Sequence, residues 1–210
     1  MEELLEVLKK AVPKATLHRY PVYLKALRKL KASGVNRIMS RELASYVSIE
    51  STTIRRDFSF LGKLGKQGYG YDVDDLIRIF SEQLGMNFDE KIILVGCGHL
   101  GKALLNYNHW NHVVGEIVCA FDLEPEAVGE TNVPVYDLRD ISEKIPEGCR
   151  IAILCITKEV QETVDILIEN GITGMVSFSS EHFKVPAGIS VKTIDVVSSI
   201  QELVFETNAK

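Results

Sequence analysis

Residues 91–107 read KIILVGCGHLGKALLNY, and they restrict the fold more than any other stretch of the chain. The unbroken apolar run before Gly96 reads as a strand buried on both faces, and the apolar spacing after Gly101 reads as a helix. Between them, Gly96, Gly98 and Gly101 stand in G-x-G-x-x-G spacing. In that pattern Gly96 permits a tight turn, Gly98 lets backbone approach a pyrophosphate, and Gly101 allows close helix–strand packing. The segment Cys97, His99 and Leu100 then opens a helix whose N-terminal amides favour the phosphate charge. Glycine spacing alone is a weak signal, and a turn in some other α/β domain is the alternative. The flanking strand and helix strengthen it.

About twenty residues further on, EIVCAFD reads as a second strand ending at Asp122. A carboxylate there is placed to accept hydrogen bonds from an adenosine ribose and to repel a 2′-phosphate, which favours NAD(H) over NADP(H). RIAILCIT and TGMVSFS read as further strands, and KEVQETVDILIENG as a helix closed by Gly171. Apolar strands alternating with amphipathic helices predict a parallel sheet covered on both faces. The last segment, IDVVSSIQELVFETNAK, reads as an amphipathic helix with Val197, Ile200, Leu203 and Val204 on one stripe. No partner for that stripe is evident in its own domain, so a second subunit is expected to cover it.

The N-terminal part has a different texture. Residues 17–32 have helical apolar spacing, and Ser33-Gly34 then interrupts. Ser40 is read as the cap of a short helix, RELASYV, followed by the turn SIE. Ser51 or Thr52 then starts a second helix running to about Leu61, with Thr52, Thr53, Arg55 and Arg56 at its front. Two short helices about a tight turn outline a helix-turn-helix, whose second helix can offer arginine to guanine and hydroxyls to phosphate. Next, GKLGKQGYGYDV holds Gly62, Gly65, Gly68 and Gly70, a density that suits a hairpin carrying Lys63, Lys66 and Tyr69 outward. Such a hairpin makes the unit a winged helix. A helix from about Val73 to Leu84 leads out to a link at Gly85–Asp89. The expected organisation is a winged-helix domain over residues 1–84 and a Rossmann-type α/β domain over residues 85–210.

The charge distribution supports this division. The net charge is −5, which taken whole argues against nucleic acid. Yet residues 1–71 carry fourteen Lys/Arg against six Asp/Glu, while residues 72–210 carry ten against twenty-three. A basic module that meets phosphates, joined to an acidic one, is the expectation, with chance clustering on solvated helices as the alternative. The four cysteines, Cys97, Cys119, Cys149 and Cys155, form no C-x-x-C pair. With no secretory start and no run long enough to span a membrane, the reading is a protein of the reducing cytoplasm. Cys97, at a helix N-terminus, could be stabilised as a thiolate sensor, or could simply fill space. His109 and His112 lack a third ligand, so no metal is expected.

Taken together, these motifs resemble the Rex family of bacterial redox-sensing transcriptional repressors. The resemblance runs from PKAT at Pro13 to LVFE near the C-terminus, through STTIRRDFSFLGKLGKQGYGYDV, VGCGHLGKALLNY, AFDLEPEAVGE and ENGITGMVSFS. It implies a homodimer on a palindromic operator in double-stranded DNA, released by NADH and permitted or favoured by NAD+, with the C-terminal helix swapped between subunits. Residue by residue, it places Gly96–Gly101 at the pyrophosphate and Asp122 at the ribose. Ile156, Thr157 and Phe178 fall in loops that border the nicotinamide. Arg19, Arg55 and Arg56 match basic positions of the reading domain, and Ser51, Thr52, Thr53, Lys63 and Lys66, read from the helix and hairpin themselves, are expected to touch DNA beside them. Tyr107 and Asp195 match members of a network coupling the nicotinamide site to the DNA domain, and Lys25 stands where that network has an arginine. Other departures are His99 in the turn, Cys155-Ile156 in place of Val-Pro, and Ser177-Phe178-Ser179-Ser180 in place of the NF-x-P loop.

A dehydrogenase would need a further region to hold substrate and a proton donor. The α/β part leaves little room for one, so the expectation is a reader of the dinucleotide. The alternatives are a small NAD-dependent oxidoreductase with a helical extension, and a CoA- or nucleotide-binding module. Nicotinamide turnover on a substrate panel separates the first of these from a reader.

Overall fold

The computed structural model describes residues 12–62, 64–66, 68–85, 89–108 and 114–208, and it divides into two units, Met1–Asn87 and Phe88–Lys210. The first is built from helices α1 (Lys14–Leu17), α2 (Tyr20–Ala32), α3 (Ser40–Val47), α4 (Ser51–Ser59) and α5 (Val73–Gln83). Three short antiparallel strands, β1 (Arg37–Ile38), β2 (Gly65–Lys66) and β3 (Gly70–Asp72), pair in the order β1-β3-β2.

Helix α2 turns Tyr20, Tyr23, Leu24, Leu27 and Leu30 inward at helical spacing. Its tyrosines meet Phe58 of α4 and Phe80 of α5, with Tyr20–Phe80 centroids 5.0 Å apart and Tyr23–Phe58 5.5 Å apart, both edge-on. Phe58 also meets Tyr71 edge-on, so the hairpin is tied to the same aromatic core. Helix α3 begins at Ser40 itself, the residue expected to cap it, and so one residue earlier than expected. Met39 holds the cap position, and the Glu42 carboxylate accepts its amide N–H at 2.7 Å. The turn into α4 places Ser48 in the left-handed region at φ +53°. Helix α5 is capped by Asp72, whose Oδ1 accepts from the amides of Asp74 and Asp75.

The second unit has strands β4 (Glu90–Val95), β5 (Gly115–Asp122), β6 (Val135–Asp137), β7 (Ile151–Leu154), β8 (Gly174–Ser177) and β9 (Ser190–Thr193). They form one parallel sheet in the order β6-β5-β4-β7-β8-β9. Counted from β4 this is 3-2-1-4-5-6, the doubly wound dinucleotide-binding order, with its switch point between β4 and β7. Helices α6 (His99–Asn106), α7 (Pro125–Val128), α8 (Ile141–Lys144) and α9 (Val160–Glu169) connect the strands. Ile93 and Val95 enter one apolar layer with Phe121, Leu154 and Val164, while Ile92 and Leu94 enter the other with Leu105, Ile117 and Ile153. Both faces are therefore buried, which is why the strand shows no polar alternation.

Helix α10 (Val196–Asn208) buries none of its side chains. Val197, Ile200, Leu203, Val204 and Phe205 are each more than half exposed. Among the described residues, no helix is long and apolar enough to cross a membrane.

Candidate functional site

Helix α4 is two-sided. Ile54, Asp57 and Phe58 face the core, whereas Thr52, Arg55 and Arg56 are exposed and Ser51 and Thr53 are half-buried. A groove of about 750 Å³ runs beside it, lined among others by Met39, Arg41, Arg55, Phe58, Gly68 and Tyr71. Arg41, which the sequence reading passed over, thus stands on the same groove as Arg55. At the hairpin, Tyr69 is exposed, with the Arg37 guanidinium 5.4 Å from its ring centroid. Lys63 and the side chain of Lys66, both expected on the wing, lie outside the described residues. His109 and His112 also lie outside them.

Arg19 was expected on the DNA face, but its guanidinium turns inward. Nε donates to Asp57 Oδ2 at 2.6 Å and Nη2 to Oδ1 at 2.7 Å, a side-on fork onto a carboxylate that is 1% exposed. Tyr23 Oη donates to Oδ2 at 2.6 Å and Thr16 Oγ1 to Oδ1 at 2.9 Å. Burial pushes the Asp57 pKa up, but the bonds from Arg19, Tyr23 and Thr16 and the Arg19 charge outweigh it and hold Asp57 below the usual carboxylate range. The bond to Asp57 raises the pKa of Arg19, and burial raises that of Tyr23, so both donors keep their protons. Nothing in the local sequence marks Asp57 as buried. It reads as one more charge in RRD.

In the second unit, the glycine turn closes the carboxyl end of β4 at the switch point. Gly96 has φ +94°, and a Cβ there would lie 2.7 Å from Ile156 Cγ2 and 2.8 Å from the Cys155 carbonyl. A Cβ on Gly101 would lie 2.0 Å from the Gly96 carbonyl oxygen. Gly98 faces open space instead, with nothing within 4 Å of the Cβ position. The turn therefore demands glycine twice for its own packing and leaves its third glycine facing outward, toward the space a ligand would occupy. His99 and Leu100 are exposed on the first turn of α6.

Asp122 ends β5 beside this turn. Its Oδ2 accepts the Cys97 amide at 2.6 Å and its Oδ1 the Glu124 amide at 3.0 Å, which fixes the carboxylate at the mouth of the turn. A crevice of about 80 Å³ there brings together Gly96, Asp122, Leu138 and Ile156. The space is far below the roughly 300–1,000 Å³ of an enclosed ligand pocket, so the carboxyl edge of the sheet is open here. Thr157 is exposed after β7, and Phe178, after β8, donates its amide to the Leu154 carbonyl at 2.9 Å. Ser177 and Ser179 shape that loop, their hydroxyls accepting the amides of Ser179 and Glu181.

Asp137 was not singled out by sequence. It ends β6 in register with Asp122 and holds Arg139, whose Nε and backbone N–H lie 2.8 and 2.9 Å from its Oδ1. The bond from Arg139 lowers its pKa to about 2. For Cys97 the structure selects the space-filling of its two readings. Cys97 is 2% exposed, and burial, followed by the charge of Asp122, pushes its thiol up to about 12. At neutral pH it is a protonated, buried thiol and fills space in the turn.

Of the three residues expected to couple the units, Lys25 is exposed on α2 of the first unit, while Tyr107 and Asp195 are exposed in the second. Tyr107 ends α6 and is 64% exposed. Asp195 precedes α10 and caps it, accepting the Ser198 amide at 3.0 Å and its hydroxyl at 2.6 Å.

A helix-turn-helix with a glycine-rich wing, in one chain with a doubly wound α/β unit, defines the class of ligand-responsive DNA-binding regulators. Comparison with known proteins narrows it. Residues 11–59 match the family described as "Putative DNA-binding protein N-terminus", and residues 87–181 match the CoA binding domain family. The chain is 42% identical over 202 residues to the redox-sensing transcriptional repressor Rex 2 of Enterococcus faecalis, covering 94% of each. It is 41% identical over 197 residues to the repressor Rex of Anoxybacillus flavithermus, covering 92% of this chain and 93% of that one. Among solved structures, RSP in complex with β-NAD+ and operator DNA matches with a TM-score of 0.85 at 31% identity, over 94% of this chain and 93% of RSP. RSP in complex with β-NADH matches with a TM-score of 0.81 at 28% identity, over 95% of each. The chain belongs to the Rex family of redox-sensing transcriptional repressors.

Proposed function

We propose that this chain is a DNA-binding repressor that senses the NADH/NAD+ balance and leaves its operator when NADH binds. The observation that carries the reading is the near-complete match to a repressor solved with both β-NAD+ and operator DNA. Residues 1–84 serve as the DNA-binding domain and residues 85–210 as the NAD(H)-binding domain. Arg55 and Arg56 read base edges from α4, while Ser51, Thr52 and Thr53 hold phosphates at its start. Lys63 and Lys66 bring the wing to the backbone. Arg19 acts from behind, through Asp57.

In the second unit, Gly98 and the amides from Cys97 to Leu100 receive the pyrophosphate, and Gly96 and Gly101 keep the turn tight enough to do so. Asp122 still has lone pairs to accept the ribose hydroxyls and repels a 2′-phosphate. Ile156, Thr157 and Phe178, at the carboxyl ends of β7 and β8, border the nicotinamide. NAD+ and NADH differ in charge and ring shape at that end, so discrimination arises there. The exposed stripe of α10 pairs two copies into a homodimer on a palindromic operator, its halves about one helical turn or a multiple apart. Tyr107, Asp195 and Lys25 pass the state of one unit to the other. The protein works in the cytoplasm and catalyses no turnover of its ligand.

The match to CoA binding domains supports a second reading, a CoA-binding module on the same turn. CoA and NAD share an adenosine diphosphate, but CoA carries a phosphate on the ribose that Asp122 meets. The test is a titration of the protein, bound to a duplex it has selected from a random pool, with NADH, NAD+ and CoA in turn. NADH alone should release the duplex, and nicotinamide absorbance should stay constant with a panel of small substrates. Release by CoA, or steady consumption of NADH, would overturn the reading.

A further inference from the structure

We infer that Arg19 and Asp57 are positioning residues for DNA reading, a buried fork that sets the roll of α4 and hence where Arg55 and Arg56 point. The inference rests on the proposal that α4 reads DNA.

Three features of the cluster carry it. First, the donors all come from outside α4: Thr16 from α1, Arg19 from the residue before α2, and Tyr23 from α2 itself. Asp57 is therefore the point at which α4 is hydrogen-bonded to the elements behind it. Secondly, the rest of the buried face of α4 is only Ile54 and Phe58. Apolar contacts are non-directional and tolerate small rolls of a helix, whereas a two-bond fork onto a planar carboxylate does not. Thirdly, a buried ion pair is a poor source of stability, because desolvation offsets most of its attraction, and apolar residues of similar volume often serve as well. The surroundings here are aromatic, with Tyr20, Tyr23, Phe58 and Phe80 at hand. A charge kept in such a place is better explained by the geometry it imposes. Asp57 follows Arg56 directly, so any roll of its carboxylate moves the two arginines by a similar angle about the helix axis.

This assigns Arg19 a role unlike that of a phosphate contact, and the two roles differ in salt dependence. A cation that neutralises a phosphate contributes about 0.9 to the slope of log affinity against log salt, and weakens specific and non-specific binding alike when removed. A positioning residue leaves the slope and the non-specific affinity unchanged and lowers the specific affinity alone.

The experiment measures fluorescence anisotropy of the selected duplex and of a scrambled duplex at several salt concentrations, for the dimer as purified. Concentrations are corrected to the active fraction by stoichiometric titration. Arg19→Lys keeps the charge and loses the fork. It should lower affinity for the selected duplex by about tenfold, the scale of one charge-assisted hydrogen bond. Scrambled-duplex affinity and salt slope should stay those of the parent. Tyr23→Phe, which keeps the ring and loses one donor, should do the same to a smaller extent. Arg19→Met with Asp57→Leu tests a purely structural role, because it replaces the fork by apolar packing. If that double variant melts at the parent's temperature, it should still read the duplex poorly. A parental affinity in Arg19→Lys, a salt slope reduced by about 0.9 in the double variant, or full reading by a parent-stable double variant would each overturn the inference. If Arg55→Ala and Arg56→Ala also bind like the parent, the fault lies with α4 as reader. If they lose affinity while Arg19→Lys does not, it lies with the fork.

Discussion

Helix α4 presents its arginines from above a buried carboxylate, while helix α6 presents its first amides from a turn made of glycines. The first arrangement is held by directional bonds: four side-chain donor contacts converge on Asp57. The second is held by close approach, with Gly101 under the carbonyl of Gly96, and Gly96 against Cys155 and Ile156. One region answers to a change of bond or proton, and the other to a change of volume. The difference suits the jobs proposed for them. Reading bases needs a helix fixed in angle, whereas cradling a pyrophosphate needs backbone that comes close with nothing in the way.

The largest expected effect is in the glycine turn. Gly101→Val would place its Cβ 2.0 Å from the Gly96 carbonyl oxygen, and the turn must open to admit it. NADH binding, followed by fluorescence titration, should be lost, while operator binding, made through the first unit, should persist without its NADH response. Next comes acid. Asp57 titrates lower in the folded protein than its ordinary value of 3.8, so the stability it adds is complete above that value and is lost as pH falls through the folded value. Melting of the first unit, followed by near-ultraviolet circular dichroism of its buried tyrosines, should fall over that window. Asp57→Asn should flatten the fall and cost about 1–3 kcal/mol at neutral pH, since it removes the buried charge that Arg19 pairs with and sets an amide against its donors. A wild-type acid profile in Asp57→Asn would break the contrast between the two regions.

These same regions differ in how far sequence alone reveals them. The turn after β4 was legible because backbone demands leave direct marks: glycines at fixed spacing, and a strand buried on both faces with no polar alternation. The helix-turn-helix and hairpin were legible for the same reason. The acid at Asp122 followed from its distance along the chain. Strands β6 and β9 were missed. They are edge strands of three and four residues, β9 mostly exposed, and neither carries an apolar run. The Asp57 cluster was invisible because its partners lie 34 to 41 residues away, and Arg19 without its partner resembles any basic residue of a DNA-binding unit. For Cys97 the sequence left a thiolate and a filler side by side, because the helix N-terminus is visible in it and the burial that raises the thiol is not.

Smaller effects sharpen the assignment of residues. Arg55→Ala and Arg56→Ala should each weaken operator binding by about 1–3 kcal/mol where the arginine meets a base, and should relax preference at that position. Binding to a set of duplexes with single-base changes measures this. On the role proposed for Asp122, accepting from the ribose and repelling a phosphate, Asp122→Ala should narrow the gap between NADH and NADPH by about tenfold, roughly 1.4 kcal/mol. Competition titration of the two cofactors reads this directly. Strong NADPH binding by the unmutated protein would remove Asp122 from the role.

The central claim is that a DNA reader and a dinucleotide site share one equilibrium, and linkage offers the most direct test of it. The NADH affinity of the protein is measured by calorimetry, free and saturated with operator, and operator affinity is measured with and without saturating NADH. If the units are coupled, NADH should weaken operator binding by about 5- to 150-fold, and operator should weaken NADH binding by the same factor. An NADH affinity unchanged by operator, or two factors that disagree beyond error, would contradict the account.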